Sequence, residues 1–545
     1  MIPKSEKSFL EKYEFVIPLG LFLLFLAFTL PGISWGAPSV WHPDEIVVRS
    51  IKALHGEWKF SEINFNYPDL PQYVMFWLGK AILALGYSDG EVLLASRVLS
   101  AVVAGSTIIL THIITRRAGG NIYVAGLSGL LLLCISELSY NGRFAHNDTY
   151  TVFFTTLSTL FMVNYAKTDN RGWLYASFFS VGMAASSKYT GGSLVLAWVA
   201  VYLILQLKNL KKEWFTIGET LFVSGALTFL GFALGTPKAL TWMAYFFKRV
   251  FDALEWQATW GQRDDSVRGI IGQFPMMQST LGSALYFLFV AAVIWTCYMV
   301  IRTWRRNEIS RASQAGFFGI LLLGIFFLDL PVMISYNYQP RYLLTFMPML
   351  AILTAFFIAE MYTRVKQFGK PIYSTAVVIG IGAVVLYSFA RLASIALLFI
   401  NDSRIPATEF MKTLRPGTSL EHTNYPPTYD GEFFEREHNY PLHIQMGTID
   451  TPPTDKPYEF NKAEEGLLDR GTDYLIVDSF TASRFNDPHV CEQIPVECEF
   501  FKQLETGKTD HYQLIAEFEY SLPWYLPQIQ VAVANPIIKI YERIK

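Results

Sequence analysis

Long apolar runs separated by short polar connections dominate the first 400 positions. A helical run of roughly 16–22 apolar residues matches the hydrocarbon thickness of a bilayer. About eleven such runs occur, at 15–34, 92–115, 121–139, 149–166, 173–187, 190–207, 214–235, 280–301, 315–335, 342–360 and 372–398. The runs 173–187 and 190–207 are short, which suits tilted or half-buried helices. Segment 73–87 is also apolar but short, and it carries Lys80, so it predicts a helix lying in the membrane interface. In the loop 236–279, Trp242, Trp256 and Trp260 predict a second interfacial helix. After about residue 400 the pattern changes. Asp, Glu, Pro and Thr become frequent, and short runs at 474–477, 514–518 and 537–541 are bounded by turn residues, as strands are. The expected fold class is an α-helical polytopic membrane protein, residues 1–400, followed by a small α/β domain, residues 401–545.

Charge then orients these elements. Lys4, Lys7 and Lys12 precede the first run, which reads as a retained signal anchor. Arg116 and Arg117, Lys167 and Arg171, Lys208, Lys211 and Lys212, Arg302 to Arg311, and Arg364 to Lys370 fall in every second connection. The positive-inside rule places that side in the cytoplasm. The expected location is the cell membrane, multi-pass, with a cytoplasmic N-terminus and an extracytoplasmic C-terminal domain. The outer side then holds the loops 35–91 and 236–279 and the tail. Hydrophobic residues make up 52% of the chain and charged ones 17%, with a net charge of −2. That balance gives no basic face for nucleic acid.

Four polar clusters share the outer side: Trp41-His42-Pro43-Asp44-Glu45, Asn141-Gly142-Arg143-Phe144-Ala145-His146-Asn147-Asp148, Ser187-Lys188-Tyr189-Thr190-Gly191 and Tyr336-Asn337-Tyr338-Gln339-Pro340-Arg341-Tyr342. Each has a plain structural reading. Asp44 is placed to cap a helix starting near Glu45. Arg143 and Asp148 suit a loop ion pair. Lys188 is placed to snorkel, and Arg341 to meet a helix end or a lipid headgroup. Together they suggest chemistry. Arg grips phosphate in a fork and Lys as a point charge, while a carboxylate removes a proton from a hydroxyl. A phosphate site with a base beside the bilayer points to transfer from a lipid-linked phosphosugar.

The chain resembles the GT-C type glycosyltransferases, in the branch containing protein O-mannosyltransferases and lipid A aminoarabinose transferases. The resemblance is closest to the phospholipid-carrier-dependent glycosyltransferases. It rests on His42-Pro43-Asp44-Glu45, Ala95-Ser96-Arg97, Asp148, Ser187 to Gly191, Pro340-Arg341-Tyr342-Leu343-Leu344, and the tail opening Asn401-Asp402-Ser403-Arg404 through Phe410. It implies an inverting transfer from a polyprenyl (undecaprenyl or dolichyl) phosphate sugar to a hydroxyl of a glycan, lipid or protein. Asp44 would be the general base, and Glu45 would join it in the catalytic group or be only its neighbour, hydrogen-bonded to Arg49 one helical turn on. Asp148 would orient acceptor or sugar. Lys188 and Arg341, with Arg143, would bind the carrier phosphate. His42, Tyr67, His146 and Tyr342 would line the substrate pocket. A basic residue of the first outer loop is also expected near the phosphate, and Arg49, Lys52, His55 and Lys59 are equal candidates.

No cofactor is required by this chemistry. His42, Asp44, His55 and His146 share a side and are candidates for a divalent metal, but no H-x-x-x-H or C-x-x-C spacing supports one. Asp329, inside an apolar run, calls for a partner such as Arg341 or Tyr336. Cys134 and Cys297 fall in apolar runs and read as packing residues. Cys491 and Cys498 read either as two separate thiols or, in an oxidising compartment, as a disulfide. The rival class is a polytopic transporter or flippase of a lipid-linked or anionic substrate. Against it, no duplicated half is visible.

Overall fold

The computed structural model describes residues 14–60, 67–209, 211–259, 267–306, 310, 313–439 and 462–544. Lys4, Lys7, Lys12, Trp260 and Arg311 lie outside the described residues. The chain divides into two compact units. One runs to Ile33 and continues over Asp44–Leu392; the other joins Ser34–Pro43 to Ala393–Lys545.

In the first unit every predicted apolar run contains helix. The helices are Val16–Thr29, Asp89–Arg117, Ile122–Leu133 with Ser136–Gly142, Asp148–Thr168, Arg171–Ser187, Leu194–Gln206, Trp214–Gly235, Ser283–Arg305, Gln314–Ile334, Met347–Gln367 and Pro371–Ile400. Among the described residues seven helical stretches are long and apolar enough to cross a bilayer, or eight if the pair broken at Cys134 by a 61° bend is one span. Val16–Thr29 is apolar but has only 14 residues. Asp148–Thr168 is rich in Thr, and its hydroxyls turn inward: Thr155 and Thr159 bond carbonyls one turn back, and Ser158 accepts from the Trp198 indole. Polar side chains of this kind are satisfied inside a helical bundle. The protein is a multi-span membrane protein.

Close helix approach fixes part of the bundle. A Cβ at Gly182 would lie 2.0 Å from the Thr228 carbonyl oxygen, and one at Gly231 would lie 2.3 Å from that of Phe179. Only glycine lets the Arg171–Ser187 and Trp214–Gly235 helices come this near. Helices also cover most of the two segments expected to lie in the interface, as Leu70–Ala84 and Met243–Thr259.

The second unit is built on a five-stranded sheet: β1 Ser419–His422, β2 Arg436–Asn439, β3 Tyr474–Asp478, β4 Tyr512–Phe518 and β5 Ile538–Arg543. The order is β2-β1-β3-β5-β4. β1 runs parallel to β2 and β3, whereas β5 runs antiparallel to β3 and β4. Every residue of β3 is buried. Its alternation sends Tyr474 and Ile476 into one cluster with Leu420, Ile538 and Ile540, and Leu475 and Val477 into another with Phe501 and Leu504. Strands β3, β4 and β5 are the three predicted ones. Cys491 and Cys498 form a disulfide, with Cα atoms 5.4 Å apart.

The tail opening Asn401 to Phe410 builds this unit. Arg404 makes a bidentate pair with Asp402, both side chains fully buried, and donates to the Val533 carbonyl. Its guanidinium lies over Trp35 and Trp41, and the Trp35 indole donates to Asp402 at 2.8 Å. Those tryptophans come from the short segment that joins this unit from the first outer loop.

Candidate active site

Four distant segments of the first unit meet around Arg341. Each is placed by a break in helical structure. Asp148 opens the Asp148–Thr168 helix, where free amide groups favour an anion. Lys188 ends the Arg171–Ser187 helix in extended conformation, at φ −155°, before the 3-10 turn Tyr189–Ser193. That turn needs Gly191, because a Cβ there would meet Thr151 and the Ala184 carbonyl at 2.9–3.0 Å. Arg341 sits in the 3-10 turn Pro340–Phe346, directly after the proline that begins it.

Arg341 Nη1 donates to Asp44 Oδ2 at 2.8 Å, and its Nε lies 3.9 Å from Asp148 Oδ2. Lys188 Nζ donates to Asp148 Oδ1 at 2.6 Å, and His146 Nδ1 lies 2.8 Å from Asp148 Oδ2. Tyr342 carries both cations on its ring, with Lys188 Nζ 4.3 Å and Arg341 Cζ 5.7 Å from the centroid. The two acids differ in access. The Asp148 side chain is 3% exposed and that of Asp44 is 37% exposed. Asp44 is therefore open to an incoming group, whereas Asp148 is committed to holding Lys188, His146 and Arg341.

Tyr67 lies within electrostatic reach of this cluster. Burial, then the charge of Asp44, pushes its phenol up to about 12, so it stays a donor at neutral pH. Of the basic candidates in the first outer loop, Arg49 is the one beside Tyr67, with its guanidinium 5.2 Å from that ring and 5.4 Å from Trp58. His55 instead meets Asp89 at the surface, 3.0 Å away. Lys52 and Lys59 are exposed.

Several residues expected in the site lie elsewhere or have other partners. Glu45 does not pair with Arg49. Its carboxylate is fully buried against Arg97, whose Nε and Nη2 donate at 2.8 and 2.7 Å, and it also accepts the Ala145 amide at 2.9 Å. A carboxylate so enclosed is closed to an incoming hydroxyl, unlike Asp44. It positions the site, because Ile46 N–H also donates to the Ala145 carbonyl and so ties the Asp44 segment to the Asp148 loop. Asp44 caps no helix: the next one starts at Val47 with Ile46 at its N-cap. Arg143 is buried and turned into the bundle, donating to Ser139 and to the Phe28 carbonyl rather than to Asp148. His42 belongs to the second unit. Asp329 accepts from Gln273 at 3.0 Å, not from Arg341 or Tyr336. Among the described residues no group of three or more His, Cys, Asp or Glu is arranged to hold a metal ion.

One buried acid was not singled out by the sequence pattern. Asp69, before the Leu70–Ala84 helix, is 1% exposed, and its amide donates to Thr236 at 3.2 Å. Burial pushes its carboxyl up to about 7, partly offset by Arg49 and Lys238. A carboxyl raised on folding stabilises the fold at low pH and loses that contribution as pH rises toward 7. Asp69→Asn should therefore gain thermal stability over wild type as pH goes from 4 to 8. A stability difference that does not change with pH would contradict this.

A family model described as dolichyl-phosphate-mannose-protein mannosyltransferase matches residues 63–251, less than half of the chain. No curated protein sequence matches the chain closely enough to count as a relative. Solved structures match along almost its whole length. The archaeal oligosaccharyltransferase AglB from Archaeoglobus fulgidus, in complex with an inhibitory peptide and a dolichol-phosphate, gives a TM-score of 0.55 at 10% identity, over 99% of this chain and 89% of its own. ArnT from Cupriavidus metallidurans bound to undecaprenyl phosphate gives 0.50 at 14% identity, over 96% and 98%. The fold is of the GT-C type. The apo form of the A. fulgidus oligosaccharyltransferase agrees, with a TM-score of 0.57 at 11% identity over 99% of this chain and 90% of that one. At such identities the likeness is one of fold. The GT-C frame here carries its cationic cluster where the helices break.

Proposed function

We propose that this protein is an inverting glycosyltransferase that moves a sugar from a polyprenyl-phosphate carrier to a hydroxyl acceptor on the outer face of the membrane. The single observation that carries the reading is Arg341 and Lys188 held side by side on Tyr342, with the accessible Asp44 bonded to Arg341. Two cations beside one exposed carboxylate suit a phosphate leaving group and a base. The fold is shared with structures solved with dolichol-phosphate and undecaprenyl phosphate. The family model over 63–251, which includes Asp69, Asp148 and Lys188, is also that of a transferase using a dolichyl-phosphate sugar.

In the proposed reaction the acceptor oxygen attacks the anomeric carbon from the side opposite the phosphate. Asp44 takes the hydroxyl proton as the new C–O bond forms. The bond from the anomeric carbon to the phosphate oxygen breaks, and the polyprenyl phosphate leaves with the electron pair. Arg341 and Lys188 meet its charge, so no acid need protonate it. One base then suffices, whereas glycosidases use two carboxylates. Asp148 is a positioning residue that fixes both cations and His146. Tyr67 offers a hydroxyl donor to the sugar or phosphate. Arg49 replaces Arg143 as the third basic residue beside the pocket. The acceptor is a lipid, glycan or protein.

The test uses purified protein in vesicles with a labelled polyprenyl-phosphate sugar and membrane extract as acceptor source. Transfer releases polyprenyl phosphate and moves the label to acceptor. Label that crosses the vesicle wall still on its carrier would instead favour a transporter or flippase. Arg341→Ala should weaken carrier-phosphate binding about 10–100-fold, the range of one or two charge-assisted hydrogen bonds. Equilibrium binding of labelled polyprenyl phosphate measures this, and unchanged affinity would move the phosphate elsewhere.

A further inference from the structure

In the second unit, residues 520–538 carry no charged side chain, between Glu519 and Lys539. At the centre lies Leu522-Pro523-Trp524-Tyr525-Leu526-Pro527. Trp524 is 90% exposed and Tyr525 69% exposed, the most exposed large hydrophobic residues among those described in this unit. This exposure is built into the turn. Leu526 N–H donates to the Pro523 carbonyl at 3.0 Å, and the Gln528 amide donates to the carbonyls of Pro523 and Leu526. Leu522 is buried beneath it. Farther along, Asn535 donates to the Tyr520 carbonyl and to Asp402, and Arg404 holds the Val533 carbonyl. A rigid turn thus presents two aromatic rings that the unit itself does not cover.

The turn is fastened to the last apolar helix. Ser394 Oγ donates to the Pro527 carbonyl at 2.9 Å. Helix Pro371–Ile400 has 30 residues. At 1.5 Å per residue it is about 45 Å long against a hydrocarbon core of about 30 Å, so about 15 Å extends beyond the core, and its last turns reach headgroup depth when its first turn, beside Lys370, starts at the opposite interface. Ser394 is in those turns, about 9 Å before the helix end. Trp and Tyr with no nearby charge are the residues that settle at the membrane–water interface.

We propose that the Pro523–Pro527 turn is a membrane anchor, with Trp524 and Tyr525 seated among the headgroups and first acyl carbons of the leaflet where helix Pro371–Ile400 emerges. The occupant is the lipid bilayer. The anchor adds a second attachment of the C-terminal domain to the membrane besides its covalent one.

Full-length protein with Cys134→Ala and Cys297→Ala carries a nitroxide at Trp524→Cys, at Tyr525→Cys or, as a solvent reference, at Lys508→Cys. It is placed in vesicles of phosphatidylethanolamine and phosphatidylglycerol. At 524 and 525 the nitroxide should collide more often with oxygen, which concentrates in lipid, than with a water-soluble nickel chelate. At 508 the order should reverse. Preference for the chelate at both 524 and 525 would put the turn in water and overturn the proposal. Shielding from both reagents would also overturn it, because protein rather than lipid would then cover the rings. Two labelling positions keep the test decisive if one variant misfolds.

Discussion

Asp44→Asn should lower the rate of sugar transfer by about 10²–10⁴-fold, the span over which a general base contributes, while carrier-phosphate affinity stays within a few-fold of wild type. The substitution keeps the size of the side chain and an oxygen able to accept from Arg341. It removes only the ability to take a proton. Because the Asp44 side chain is 37% exposed, losing its charge leaves no buried orphan, and the fold should be unaffected. The measurement pairs single-turnover transfer from a labelled polyprenyl-phosphate sugar with equilibrium binding of polyprenyl phosphate. Wild-type turnover in the variant would remove Asp44 from the chemistry. Equal loss of turnover and carrier binding would recast it as a residue that only holds Arg341.

Arg97→Met should cost about 3–5 kcal/mol of stability, the penalty for removing one partner of a buried ion pair. The Arg97 and Glu45 side chains are 1% and 0% exposed, and Arg97 also donates to the Ile33 carbonyl at 3.0 Å. Without the guanidinium, Glu45 remains as an unmatched acid in the bundle. The double variant Arg97→Met, Glu45→Gln should recover much of the loss, because the stranded charge is gone. Thermal unfolding in detergent reads both. An Arg97→Met protein as stable as wild type would mean that this pair does not fix the Asp44 segment. A double variant no better than the single one would place the cost in lost packing rather than in charge.

Hydropathy alone revealed the helical frame, since every apolar run proved to contain helix. Short apolar runs bounded by turn residues revealed β3, β4 and β5. That pattern missed β1 and β2, where Ser419-Leu420-Glu421-His422 and Arg436-Glu437-His438-Asn439 carry little apolar signal. Glu421 is buried all the same, because Arg470 and Thr472 satisfy its carboxylate. The partners within the site were the least legible part. Sidedness correctly grouped Asp44, Asp148, Lys188 and Arg341, but it did not say which acid meets which base. The Glu45–Arg97 pair did leave a trace: an arginine inside the apolar run 92–115 needs an acid, and Glu45 was available on the same side. Arg143 misled because its neighbour in sequence, Asp148, is drawn away by Lys188 and His146. The burial of Asp69 is not legible in the sequence, because a Pro-Asp-Leu-Pro string reads as a solvated turn and only the packing around Thr236 buries it.

The most direct test is an experimental structure with polyprenyl phosphate bound. The phosphate should lie within hydrogen-bonding distance of Arg341 and Lys188, with Asp44 facing the position where the sugar's anomeric carbon would sit. A phosphate bound away from both cations, or Asp44 turned from the carrier's sugar end, would contradict the proposed reaction.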